Sequence, residues 1–246
     1  HQFPYTPTVD SFSFYIVYMS YHIEPRSITS YLSGICSQLE TYFPNVRQIR
    51  REPLVTRTLH GCMRMRSKPI HRKPALEWTD LQQAITMHPP SSYDDRLFMA
   101  LLFTGFHCLL RLGDMVAPDK LELRSLRKIT RRNSLSMSDG PSTISFTLPT
   151  HKSDRAFEGD HIVLRNLIAR GPDPVAIVLT YLQARDILFP FQIELWLRAN
   201  GSVPTRSWFC HRLHSIFPRD GVSGHSMRAG GATALAIAGV PGPIIQ

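Results

Sequence analysis

Seven consecutive residues, Leu97-Phe98-Met99-Ala100-Leu101-Leu102-Phe103, are apolar on every side of any helix they form. A helix with no polar face cannot lie on a surface, so this one must be central to whatever the chain builds. The run is too short to cross a bilayer and is soon followed by His107 and Arg111, which points to a globular core. With 246 residues, 43% of them apolar and 10% aromatic, the chain can bury such a core. Its length suits two modest domains or one large one.

Proline divides the N-terminal third. Val9 to Ile23 carries Phe12, Ile16 and Met19 at helical spacing, with Tyr15 beside them. After Pro25, the stripe Ile28, Leu32, Ile35 and Leu39 predicts a second helix, with Ser27 as its expected cap and Pro44 ending it. Glu52-Pro53 predicts a third, through Leu54, Thr58 and Cys62 to Arg66. Residues 1–66 therefore read as a compact all-α domain, and residues 67–75 as a basic, proline-containing linker.

The remainder, residues 76–246, mixes helices with a hairpin. A helix capped near Thr79 and another from about Ser92 lead into the apolar run, which Thr104-Gly105 is expected to interrupt. Thr143 to Leu148 and His161 to Leu164 alternate at period two and read as strands around a polar tip. Asp173 to Phe189 reads as a long helix with Val175, Val178, Leu179, Leu182 and Ile187 inward. Pro204 opens another through Trp208, Leu213 and Ile216, and Ala229 to Ala238 closes the series. The fold class is mainly α with a small antiparallel β-sheet, that is, α+β.

Charge narrows the partners. The chain carries 28 Lys+Arg against 19 Asp+Glu, a net charge of +9, and only five of the 28 are lysines. Arginine forks match phosphate oxygens in pairs, which favours a polyanion, double-stranded DNA above all. Arg47, Arg50, Arg51, Arg57, Arg64, Arg66, Lys68, Arg72 and Lys73 face one acid, Glu52, within residues 45–75, a density expected of a DNA-backbone surface. A second basic stretch runs from Lys120 to Arg132. Cys36, Cys62, Cys108 and Cys210 form no Cys-x-x-Cys pair, so neither a zinc knuckle nor a disulfide framework is indicated. A reducing compartment is the expectation, nuclear if the source is eukaryotic and otherwise cytoplasmic, with no membrane partner.

Four cationic positions stand out. Arg111 lies inside an apolar stretch, where a guanidinium needs an anion. Asp114, three residues on, is one candidate partner, and a ligand phosphate is the other. Lys152 is the lone lysine after Lys128 in a chain that otherwise chooses arginine, and lysine, unlike arginine, can give up a proton. His225 and Arg228, within Gly224-His225-Ser226-Met227-Arg228-Ala229-Gly230-Gly231, project side by side if the segment is helical. An N-terminal helical turn adds free N–H groups and a positive dipole end beside them.

In this order the elements resemble the catalytic domain of the tyrosine recombinases, the integrase-like enzymes that break and rejoin DNA. Thr104-Gly105 through Leu110-Arg111-Leu112-Gly113-Asp114 is similar to that family's first arginine box, His151-Lys152-Ser153 to its hairpin lysine, and His225 through Thr233 to its second box. The second box is most similar to recombinases of eukaryotic, Crypton-like mobile elements. The resemblance implies a helical, SAM-like core-binding domain followed by an integrase-like catalytic domain, in DNA recombination or integration through a type IB-like phosphotyrosine link. It implies Arg111 and Arg228 as the phosphate clamp, Lys152 as general acid, His225 as the proton-handling group and Asp114 as an orienting neighbour. It implies no metal and no cofactor, and multimers on DNA, this chain by itself being monomeric.

The family's nucleophilic tyrosine follows the second box, whereas the last tyrosine here is Tyr181. None of the eight tyrosines matches the motif, so the nucleophile is unassigned and the chain is expected to be a C-terminally truncated fragment that binds DNA without cutting it. The alternative is a catalytically inactive, domesticated DNA-binding module of the same fold. A third possibility, a helical scaffold, predicts no salt-dependent affinity for DNA.

Overall fold

The computed structural model describes residues 6–70, 73–138, 143–149, 159–166, 171–219 and 221–245. They divide into two compact units, His1–Arg72 and Lys73–Gln246.

The first unit contains four helices, α1 (Val9–His22), α2 (Pro25–Leu39), α3 (Val46–Arg51) and α4 (Pro53–Arg66). Thr8 and Ser11 cap α1 reciprocally, the Thr8 hydroxyl accepting the Ser11 N–H at 3.1 Å. Prolines open α2 and α4, where the missing N–H is no loss. Glu24, not Ser27, stands at the cap of α2, because Pro25 starts the helix earlier than its apolar stripe. The short α3 had no signal, since six residues hold too little of a period to recognise. Phe12, Ile16, Ile28, Leu32, Cys36, Val46, Val55 and Cys62 form the core. Leu54, expected inward, is half exposed.

In the second unit α5 (Trp78–Met87), α6 (Tyr93–His107) and α7 (Leu112–Met115) come first. Three 3-10 turns between Leu121 and Ser134 lead to β1 (Ser136–Ser138), β2 (Thr143–Leu148) and β3 (Asp160–Arg165). Then follow α8 (Pro174–Leu188), α9 (Arg206–Ile216), α10 (Gly224–Ile237) and α11 (Gly242–Ile245). The sheet is antiparallel in the order β1-β2-β3, with Ile144 opposite Leu164. Ile144, Phe146 and Leu148 alternate inward with Thr143, Ser145 and Thr147 turned away, as period-two patterning requires. β1 escaped the sequence because Ser136-Met137-Ser138 is exposed throughout.

α6 is the axis. Every residue from Leu97 to Phe106 is buried, and Ser92 caps the helix as expected, its hydroxyl accepting the Asp95 N–H at 3.1 Å. Thr104-Gly105 does not interrupt α6, which runs on to His107. Gly105 is there for space: a Cβ would stand 2.8 Å from Met115 Cε and 3.2 Å from Met227 Sδ. The cap of α5 is Glu77 rather than Thr79, with the Asp80 carboxylate accepting the Glu77 N–H at 2.7 Å. In α8 the stripe ends before Ile187, which is 84% exposed. Beyond α8, buried Arg185 donates to the carbonyls of Phe189, Gln192 and Glu194 and thereby shapes the following loop.

Candidate phosphate site

A strained turn presents Arg111. After α6, Leu109 adopts φ +54°, and the Leu110 N–H donates to Gly105 O at 3.1 Å. This is a Schellman closure with leucine where glycine is ordinary, at a cost of about 1 kcal/mol. Packing holds it in place. A Cβ on Gly231 would meet Leu109 Cδ2 at 2.7 Å, so the leucine side chain lies against α10. The turn delivers Arg111 to the cap position of α7 with an extended backbone.

Asp114 answers the cap. Its Oδ2 accepts the backbone N–H of Arg111 at 2.9 Å. The carboxylate therefore fixes the Arg111 main chain, and no ion pair joins it to the guanidinium among the described residues. Asp114 is thus not the counter-ion that its spacing allowed. Arg111 is half-buried, and among the described residues its guanidinium has no hydrogen-bond partner.

α10 brings the second half of the site. It begins at Gly224, not near Ala229, so His225 and Arg228 fall in its first turns. Ser223 and Ser226 form the capping box, the Ser223 N–H donating to Ser226 Oγ at 3.0 Å. Three glycines let this helix approach its neighbours closely. A Cβ on Gly224 would stand 2.7 Å from Leu112 Cβ, and on Gly230 and Gly231 it would lie 1.9 Å from Leu76 O and Phe106 O. The Leu76 N–H also donates to Ser226 O at 3.0 Å. Gly224 rests on Leu112, so the starts of α7 and α10, which carry Arg111 and His225, pack together. His225 is exposed and Arg228 half-buried, and neither side chain has a partner among the described residues.

The other arginines of this unit show the contrast. Arg132 pairs with Asp186 at 2.7 Å, Arg212 with Asp95 at 2.6 Å and Arg219 with Asp80 at 2.7 Å, while Arg198 reaches Asp94 at 3.7 Å. Burial alone would raise the Asp95 carboxyl, but hydrogen bonds from Ser92 and Arg212 hold it well below the usual range. Arg111 and Arg228 have no such acid among the described residues. A guanidinium fork beside a helix N-terminus suits an anion in general.

Other titratable groups of this unit are packed into its interior. His107 is buried against Trp78, Phe103 and Phe106, and burial pushes its pKa down to about 4 although Asp173 pulls the other way. Burial pushes the Cys108 thiol up to about 12, so it is no nucleophile at neutral pH. The Tyr181 hydroxyl donates towards Leu195 O, accepts the Leu197 N–H at 2.8 Å, and has its pKa raised by burial. Tyr93 is packed edge-on to Tyr181 and is raised for the same reason. The remaining tyrosines belong to the first unit. Lys152, in the connection between β2 and β3, lies outside the described residues. Among those residues no three His, Cys, Asp or Glu side chains converge to hold a metal ion.

The basic stretch of the first unit is divided in its commitments. Arg47 is paired with Glu40 at 2.7 Å, Arg50 donates to Ser33 Oγ and Thr29 O, and the Arg66 guanidinium stacks 3.5 Å above the Tyr21 ring. Arg51, Arg57, Arg64 and Lys68 are exposed, as is Lys73 in the second unit, and Arg72 lies outside the described residues. On α4, Arg57 and Arg64 are seven residues apart and share a face.

This architecture has solved counterparts. The Tn1549 transposon integrase in complex with circular intermediate DNA matches at a TM-score of 0.60 and 14% identity, over 100% of this chain and 79% of that one. The chain has the tyrosine-recombinase fold. The XerH site-specific recombinase on a palindromic difH substrate, a post-cleavage complex, matches at 0.51 and 12% identity, over 91% of this chain and 64% of its own. The pre-cleavage XerH complex gives 0.50 at 13% identity, and the present chain spans 62% of that protein's length. No family model matches the chain, and neither does any curated protein.

What holds Arg111, His225 and Arg228 in place carries little sequence signal. The strained Leu109 and the Arg185-braced loop had no local signal, because a leucine in a left-handed turn and a fully buried arginine both contradict their residue types. The closely spaced glycines of α10 were the one visible hint of close packing.

Proposed function

We propose that this chain binds double-stranded DNA and holds one backbone phosphate for a site-specific breaking and rejoining reaction that passes through a protein–phosphotyrosine intermediate. The observation that carries the reading is that Arg111 and Arg228, whose guanidiniums have no partner among the described residues, lie with His225 on α7 and α10, which pack together at Leu112 and Gly224. The likeness to recombinases and integrases solved on DNA supports it.

In this reading Arg111 and Arg228 grip the non-bridging oxygens and stabilise the charge that accumulates when the phosphorus is attacked. His225 positions the attacking hydroxyl or takes its proton, and Lys152 protonates the departing 5′ oxygen. Asp114 acts through the main chain of Arg111. Tyr181 is buried with its hydroxyl bonded to Leu195 O and the Leu197 N–H, and Tyr93 is packed against it, so in this reading neither serves as the nucleophile. Exposed Arg51, Arg57, Arg64, Lys68 and Lys73 contact the DNA backbone, and assembly of several copies takes place on DNA.

Two measurements test this. Duplex DNA titrated at two salt concentrations should bind far more weakly at the higher one, and an affinity indifferent to salt would exclude backbone binding. A protein joining these 246 residues to a tyrosine-bearing continuation should form a covalent adduct on nicked DNA. Lack of any adduct, with DNA binding intact, would leave the inactive-module reading in its place.

A further inference from the structure

A pocket of about 530 Å³ opens beside α7. Gly113, Asp114 and Met115 form one wall, the basic stretch from Leu123 to Thr130 a second, and Glu194, Trp196 and residues 201–203 a third. Its volume lies within the range of small-molecule sites. Met115, Val116, Ile129 and Val203 make the lining mostly apolar.

The rim is cationic. Arg124 is held there by its bonds to Pro118 O at 2.9 Å and Asp119 O at 3.3 Å, beside Lys128 and Arg206.

We propose that this pocket binds a flat amphipathic organic anion, its aromatic body on the apolar walls and its acidic group at Lys128 and Arg206. The Glu194 carboxylate, also in the lining, repels an acid and so keeps the acidic group at the cationic rim. Because α7 both lines the pocket and carries the cap of Arg111, the occupant touches the helix that places that guanidinium. The inference does not depend on the recombination reading.

The probe is 8-anilinonaphthalene-1-sulfonate, titrated into the 246-residue chain by calorimetry. One saturable site is expected, weakened at least tenfold by Lys128→Glu and by Val203→Trp, which fills the pocket. Phe191→Ser, which removes an apolar side chain 95% exposed elsewhere, should leave it unchanged. The uncharged N-phenyl-1-naphthylamine should bind at least tenfold more weakly than the sulfonate. Should Val203→Trp fail to fold, Lys128→Glu decides. Affinity unaffected by Lys128→Glu, equal affinity for the uncharged analogue, or the absence of a saturable site would each overturn the proposal.

Discussion

The Asp114 carboxylate accepts the backbone N–H of Arg111 at 2.9 Å and leaves that residue's guanidinium without a counter-ion among the described residues. An acid three residues from a half-buried arginine would ordinarily neutralise it. Here it rigidifies the main chain instead, so the positive charge is positioned and still free.

Replacing Asp114 therefore separates two effects. Asp114→Asn keeps an oxygen for the Arg111 N–H and should cost a few tenths of a kcal/mol, whereas Asp114→Ala should cost about 1 kcal/mol, as loss of a helix cap does. Urea unfolding of the second unit measures both. If the two variants are equally stable, the cap is not what Asp114 contributes.

Arg111→Ala and Arg228→Ala should each abolish covalent adduct formation in the tyrosine-bearing protein while changing DNA affinity less than about tenfold, since each removes one of many phosphate contacts. Gel-resolved adduct yield and a binding titration report the two quantities separately. Wild-type adduct rates in either variant would remove the phosphate clamp.

Glycine substitutions should change sign with location. Gly230→Ala or Gly231→Ala drives a methyl to within 1.9 Å of a backbone oxygen, so either should destabilise the second unit by about 3 kcal/mol or more. Gly61→Ala, inside α4 with nothing within 4 Å, should stabilise the first unit by about 0.5–1 kcal/mol. Thermal unfolding of the three variants distinguishes them. A neutral Gly231→Ala would mean that α10 does not lie against α6 as described.

His107 makes stability depend on pH. Its folded pKa, about 4, lies below the ordinary 6.5, so between those values the unfolded chain binds a proton that the folded chain refuses. Stability should be unaffected by this residue above pH 6.5, fall as the pH drops towards 4, and level off below, a loss of up to roughly 3 kcal/mol. His107→Phe, which keeps a ring among Trp78, Phe103 and Phe106, should flatten that part of the profile. Parallel profiles for the two proteins would contradict the burial argument.

Much of this was legible from local pattern. The apolar run of α6 announced its burial, Pro53 marked a helix start, and the alternation in β2 told which side chains face inward, because each is a local signal matched to the geometry of one element. The candidate residues Arg111, His225 and Arg228 were visible as charges in improbable places. Elements with no repeat to read, α3 and β1, were not visible, and the apparent break at Gly105 was a packing contact rather than a helix end.

By itself, then, the amino-acid order determined the helices, the hairpin and the identity of the cationic groups, all consequences of neighbours within a few residues. Only the tertiary structure decided which arginines are occupied. Arg212 and Arg219 look no different in the chain from Arg111 and Arg228, and their acids, Asp95 and Asp80, arrive from distant helices. The meeting of α7 with α10 was likewise undetermined locally. It rests on Gly224 against Leu112, Gly230 against Leu76 and Gly231 against Phe106, contacts between segments more than a hundred residues apart that exist only once α6 is buried.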